Sequence, residues 1–193
     1  MSLKRIVLAS QSPRRKQLLE WAEIPFDILV QSTDERFPAE LPVAEVPVYI
    51  ARNKALAVQA SEMYERYEAG TIVLAADTVV VLGNDIIGKP ADRDNAVEIL
   101  SRLSGQKHQV ITGVVIKHGE HEIAFSDITE VWFHELTREQ IEFYVDNYKP
   151  YDKAGAYAIQ EWIGVTGIKS INGDFYNVMG LPVSRVVQAL SAL

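Results

Sequence analysis

Between Thr71 and Leu82 the chain reads TIVLAADTVVVL, a run in which almost every residue is apolar and many are β-branched. A strand of this kind has no polar face to turn to water, so both of its sides must be covered. The remaining pattern supplies the cover. Residues 4–9 read as a short buried strand. Ser12-Pro13 opens a helix to about Ala22, serine suiting the N-cap and proline the first helical position. Phe26 to Val30 is a second strand, and a polar, proline-spaced loop runs from Gln31 to Pro47. A long helix is expected over Pro47 to Glu68, ended by Gly70. Gly83-Asn84-Asp85 turns the chain into Ile86-Ile87. Asp92 to Leu103 is helical and closed by Gly105. Strands over 107–118 and 121–134 face each other across Gly119 as a hairpin. Thr137 with Gln140 is a capping-box pattern for a helix to about Asn147. A glycine-containing loop over 151–167 leads to strands at 168–172 and 175–179, and Pro182 starts a terminal helix. Helices alternate with strands and hairpins are mixed in, which predicts an α/β fold on a mixed sheet with flanking helices.

At 193 residues, the chain fits one large domain or two tightly joined lobes. It contains no cysteine, which excludes a disulfide scaffold, a thiolate zinc site and a thiol nucleophile. The apolar run Ile6 to Ala9 behind Lys4 and Arg5 is too short for a secretory core. No stretch approaches the roughly 20 apolar residues of a membrane span. A soluble, cytoplasmic protein is the expectation. The formal net charge of -7 makes the surface as a whole repel polyanions. An anionic ligand would therefore need a local gathering of cations.

Two places break local rules. Ser10-Gln11-Ser12-Pro13-Arg14-Arg15 puts two arginines into a first helical turn, where the macrodipole disfavours cations by roughly 0.3–1 kcal/mol each. A bound anion would compensate, since free N–H groups, serine hydroxyls and guanidinium forks all suit phosphate oxygens. Two solvated arginines on a surface helix are the alternative reading. Asp77-Thr78 interrupts the apolar run. A carboxylate there is costly unless a cation, a metal or hydrogen bonds compensate it, although strand-end aspartates often satisfy themselves on backbone N–H groups. Other residues decide less. Glu35, beside Asp34, sits in a polar loop where acids are normally solvated. Lys54 has apolar helical neighbours, but Arg52 passes the same test, and periodicity does not choose between them. Lys89 lies in a tight Gly88-Lys89-Pro90 turn, as suited to a phosphate as to plain solvent. The segment from Tyr151 to Gln160 is small and aromatic enough to pack around a planar ligand, as bland loops also are. Histidines 108, 118, 121 and 134 have no metal-ligand spacing, and His118 and His121 flank the hairpin turn, where solvent is expected.

Taken together, these segments resemble the Maf family of nucleotide pyrophosphatases along nearly the whole chain. The resemblance is carried by Leu8-Ala9-Ser10-Gln11-Ser12-Pro13-Arg14-Arg15, by Tyr49-Ile50-Ala51-Arg52-Asn53-Lys54-Ala55, by Ala76-Asp77-Thr78-Val79-Val80 and by Gly88-Lys89-Pro90. Leu103 to Val110, Asp152 to Tyr157 and Asn177 to Pro182 complete seven motifs in order. The resemblance implies a single catalytic domain over 1–193 of the Maf/ITPase-like fold, with two lobes around a central cleft. It implies hydrolysis of the bond between the α- and β-phosphates of a nucleoside triphosphate with Mg²⁺ or Mn²⁺. Asp77 would be general base and metal ligand, and Glu35 the second metal ligand. Ser10, Arg14, Arg15, Lys54 and Lys89 would hold the triphosphate. Lys153 to Tyr157 followed by Gln160 resembles the branch acting on dTTP and UTP, in which Arg15, Thr78 and Gln160 would discriminate the base. Ala158 and Glu161 stand where members commonly carry glycine, so a positive φ at either would demand a reshaped loop. A homodimer is compatible with the resemblance, and no stretch identifies an interface. Rival expectations are a pyrophosphatase for modified or purine triphosphates and a non-catalytic, nucleotide-binding regulator of cell division. The acidic charge and the lack of a basic, aromatic-studded stripe oppose nucleic-acid binding.

Overall fold

The computed structural model describes residues 5–193; Lys4, at the start of the first expected strand, lies outside them. The elements in chain order are β1 (Ile6–Leu8), α1 (Pro13–Trp21), β2 (Phe26–Ile28), α2 (Val46–Gln59), β3 (Val73–Leu82), β4 (Asp85–Ile87), α3 (Arg93–Leu103), β5 (Lys107–His118) and β6 (His121–Phe133). They continue with α4 (Arg138–Tyr148), α5 (Trp162–Gly167), β7 (Ile168–Asn172), α6 (Phe175–Met179) and α7 (Val183–Ser191). Seven strands form one sheet in the order β2-β1-β3-β5-β6-β7, with β4 paired on β3. Parallel pairing joins β1 to β2 and to β3, while β4 and β7 pair antiparallel with β3 and β6. The mixed-sheet α/β class is therefore as the sequence predicts. Among the described residues no helix is long and apolar enough to cross a membrane.

The chain divides into two compact units. The first comprises the chain through Asp77, Thr112–Asp127 and Gly180–Leu193; the second comprises Thr78–Ile111 and Ile128–Met179. In the first, Val7 and Ala9 of the β1 segment, Val73 and Ala75 of β3 and Val115 of β5 pack on Ala51, Ala55 and Val58 of α2. Gly113 permits this contact: a Cβ there would stand 2.2 Å from the Val48 backbone nitrogen, so the start of α2 lies directly on β5.

Three elements differ from expectation. Helix α2 ends at Gln59 and not at Glu68. Ser61 captures local backbone groups, its hydroxyl donating to the Val58 carbonyl at 2.7 Å and accepting from Tyr64 N–H at 3.3 Å, which competes with helix continuation. Residues 175–179 form helix α6, not a strand. Gly173 at φ 131° breaks β7, Asp174 Oδ1 takes the Tyr176 N–H at 2.8 Å, and Asn177 anchors the turn on Val110 O and Thr129 Oγ1. The loop over 151–167 also contains helix α5, which its two glycines disguise.

Candidate active site

Helix α1 begins as the sequence predicts, with Ser12 as N-cap, its side chain accepting from Arg15 N–H, and Pro13 in the first turn. This fixed start determines where the two arginines point. Arg14 is half-buried, whereas Arg15 is buried and directed inward. The Arg15 guanidinium donates from Nη1 to Ser10 Oγ at 2.9 Å and from Nε to the Gly180 carbonyl at 2.8 Å. Ser10 Oγ also accepts the Ser12 N–H at 3.3 Å. With two donors on its oxygen, the buried Ser10 hydroxyl keeps its own proton for donation elsewhere.

Asp77 lies inside β3 and is half-buried, as the interrupted apolar run predicts. The compensating cation is Lys54 of α2, whose Nζ is 2.7 Å from Asp77 Oδ1 and 2.8 Å from Glu35 Oε1. The side chains of Lys54 and Asp77 are 18% and 15% exposed, Glu35 54%. The structure thus chooses Lys54 over Arg52, which instead pairs with Glu122 at 2.9 Å. Glu35, indistinct in sequence, is brought to the same ammonium as Asp77.

Electrostatics join the two halves of this cluster. Burial lowers the Arg15 pKa from its ordinary value; Asp77 raises it, Arg14 lowers it and Glu35 raises it. Three cations, Arg14, Arg15 and Lys54, thus stand with two carboxylates in a protein whose net charge is -7. The first unit brings together six of the nine residues singled out: Ser10, Arg14, Arg15, Glu35, Lys54 and Asp77. Thr78, Lys89 and Gln160 belong to the second unit. Thr78 follows Asp77 in β3 and is half-buried, and Lys89 and Gln160 are exposed. The Gly155 N–H donates to the Gly88 carbonyl at 3.1 Å, tying the Lys89 turn to the segment that leads to Gln160.

That segment differs from a ligand-wrapping loop in one respect. Tyr157 is buried in its own unit, its hydroxyl 2.7 Å from His108 Nε2 and its ring edge-on to Phe133 and His108. Burial raises the Tyr157 pKa and lowers that of His108 to about 4. Neither Ala158 nor Glu161 needs a left-handed backbone: among the described residues only Glu23, Lys149 and Ala156 have positive φ without being glycine, and Glu161 stands at φ −95°. Sequence reasoning gave no role to Gly180, whose carbonyl fixes Arg15. Its place two residues before Pro182 in one of the seven motifs was the available signal.

Two carboxylates converging on one cationic centre at 2.8 and 2.7 Å form a hard-oxygen donor set of the sort that suits a divalent ion. Among the described residues no group of three or more histidine, aspartate or glutamate side chains is placed to hold a metal ion. An ion here would complete its shell from water and ligand oxygens.

A family model described as Maf-like protein matches residues 5–193. A protein of Cytophaga hutchinsonii named dTTP/UTP pyrophosphatase is 49% identical over 188 residues, covering 97% of this chain and 84% of its own length. Proteins of the same name from Porphyromonas gingivalis and Bacteroides thetaiotaomicron are 48% and 44% identical. They cover 96% and 98% of this chain and 92% and 96% of themselves. The solved structure of the Staphylococcus aureus Ham1 protein overlaps over 68% of this chain and 73% of its own at a TM-score of 0.45 and 13% identity, a likeness too slight to bear on fold or activity.

Proposed function

The chain belongs to the Maf family, and on that premise we propose that it is a nucleoside triphosphate pyrophosphatase converting dTTP and UTP to the monophosphate and pyrophosphate. The observation that carries the proposal is the junction of Ser10, Arg15, Lys54, Glu35 and Asp77 within one unit. Phosphoryl transfer asks a protein mainly for positioning and charge stabilisation, and this cluster supplies both. Arg14, Arg15, Lys54 and the Ser10 hydroxyl would take the phosphate oxygens. Asp77 would accept the proton of a water attacking the α-phosphorus. The bond from that phosphorus to the bridging oxygen breaks, and pyrophosphate leaves.

Lys54 has a particular part in this scheme. Its ammonium neutralises Asp77 until substrate arrives; once drawn toward phosphate, it leaves the carboxylate free to act as base. Glu35 and Asp77 would hold Mg²⁺ or Mn²⁺, which when bound neutralises phosphate charge. Thr78, Lys89 and Gln160 are assigned to substrate by the family resemblance, Lys89 as a phosphate contact, Thr78 and Gln160 together with Arg15 as base discriminators. Residues 1–193 would act as one catalytic domain. A nucleotide substrate and a chain without cysteine suit the cytoplasm. The net charge of -7 argues against a nucleic-acid partner, and light scattering will decide between monomer and homodimer.

The test is a panel of dTTP, UTP, methylated pyrimidine triphosphates, ITP and 7-methyl-GTP with Mg²⁺ or Mn²⁺, read by pyrophosphate release. The proposal expects dTTP and UTP to lead and Asp77→Asn to lower kcat by a factor on the order of 10² or more in a folded protein. Release of orthophosphate, or full turnover by the asparagine variant, would contradict it.

A further inference from the structure

Gln160 occupies a turn whose two ends are fastened by a single phenol. The Glu161 N–H donates to the Ala158 carbonyl at 3.1 Å, closing a turn with Ile159 and Gln160 at its centre. At one end of this turn the Ala158 N–H donates to the Tyr144 hydroxyl oxygen at 3.1 Å. At the other end the same hydroxyl donates to Glu161 Oε2. The second carboxylate oxygen, Oε1, faces the Lys153 ammonium at 3.6 Å, and that ammonium also holds Asp152 at 2.8 Å. Tyr144 on α4 is fully buried and stacked on Tyr148 at 4.9 Å, so the staple is mounted on a rigid helix. The far side of the turn is equally fixed. A Cβ at Gly164 would stand 1.7 Å from the Ile159 carbonyl oxygen, which shows how closely α5 rests on the turn.

Gln160 itself is exposed, while Ala158 and Ile159 before it are buried and Glu161 after it is mostly covered, its side chain 22% exposed. The constrained backbone fixes the point from which the exposed Gln160 side chain starts, so that only its own torsions are left to order on binding. The carboxylate of Glu161 faces inward and is spent on the staple.

We propose that Glu161 and Tyr144 are positioning residues for Gln160, and that their hydrogen bond, backed by Lys153, sets the enzyme's discrimination between nucleobases. The inference rests on the reading of Gln160 as a base contact. Neither residue touches substrate. Both act by holding the turn from which Gln160 reaches out.

The experiment measures kcat and KM for dTTP and dCTP, which differ in the 4-oxo or 4-amino group, in the proton on N3 and in the 5-methyl group, in full-length Gln160→Ala, Tyr144→Phe, Glu161→Ala and Glu161→Gln. Tyr144→Phe keeps the buried ring and removes only the hydroxyl, so it serves even if Glu161→Ala fails to fold. The expected result is a fall of roughly tenfold in the dTTP/dCTP ratio of kcat/KM for Gln160→Ala, Tyr144→Phe and Glu161→Ala, the effect of one displaced hydrogen bond. It should appear mainly as a higher KM for dTTP, with kcat changed less. Glu161→Gln, which still accepts from the phenol, should restore most of the ratio. A merely structural role would lower the melting temperature and leave the ratio intact. If Gln160→Ala collapses the ratio while Tyr144→Phe and Glu161→Ala keep it, the staple has no such role and the reading of Gln160 survives. If Gln160→Ala leaves the ratio unchanged, the reading of Gln160 fails and the staple proposal falls with it.

Discussion

Replacing Lys54 by methionine isolates the electrostatic core of the site, because the apolar stem is retained and only the ammonium is lost. In the wild type that ammonium sits 2.7 Å from Asp77, the side chains being 18% and 15% exposed. At an effective dielectric of about 20, the gross attraction is about 6 kcal/mol. Desolvation of both charges offsets much of it, but removing one partner leaves the other charged and mostly enclosed, which typically costs 3–5 kcal/mol. Residual water access to Asp77 moves the expectation to the lower end, about 3 kcal/mol. Glu35 adds little, since an exposed pair contributes about 1 kcal/mol or less. For a chain of this length that loss corresponds to a melting temperature lower by roughly 6–12 °C. Urea and thermal denaturation of Lys54→Met, Asp77→Asn and the double variant would measure it. The double variant should recover at least about half of the loss, because the stranded carboxylate is then neutral. A Lys54→Met protein within about 0.5 kcal/mol of the wild type, or a double variant whose losses simply add, would refute the assignment of Lys54 as counter-ion of Asp77.

Further outcomes follow from other parts of the molecule. His108 is buried, with its pKa lowered from 6.5 to about 4, so between those values the unfolded chain binds more protons than the folded one. Its contribution is complete above about pH 6.5 and is lost as pH falls toward 4, which amounts to about 2–3 kcal/mol by pH 4.5. Urea titrations at pH 7 and 4.5 should show a smaller pH-dependent loss in His108→Gln than in the wild type; equal losses would remove His108 as the cause. Gly113→Ala places a Cβ 2.2 Å from the Val48 nitrogen, and a loss of about 3 kcal/mol or more, or failure to fold, is expected by circular dichroism. Lys89→Ala should leave the melting temperature unchanged, since the side chain is exposed, while raising KM for dTTP several-fold.

What could be read in the sequence was whatever is encoded locally. Ser12-Pro13 announced α1, Thr137 with Gln140 announced α4 through a capping box that is fully formed, and Gly119 marked the hairpin between β5 and β6. Asp77 was legible for the same reason, since a carboxylate among apolar neighbours violates a rule visible within a few residues. Illegible features depend on distant contacts. Periodicity could not separate Arg52 from Lys54 because most of that helix face is apolar, and only the position of Asp77 selects Lys54. Glu35 gains meaning from a lysine nineteen positions away. Gly164 argues against a helix by propensity, yet its place against the Ile159 carbonyl makes it fit one. Glu161 looked like a departure from a glycine pattern. Its backbone lies in the ordinary extended region and its carboxylate joins Tyr144 and Lys153.

The most direct test of the account is the fate of oxygen during a single turnover of dTTP in H₂¹⁸O. Water attack at the α-phosphorus, with Asp77 taking the proton, places the label in the nucleoside monophosphate and leaves pyrophosphate unlabelled. Label recovered in pyrophosphate would mean attack at the β-phosphorus, and the arrangement built around Asp77 would then be wrong.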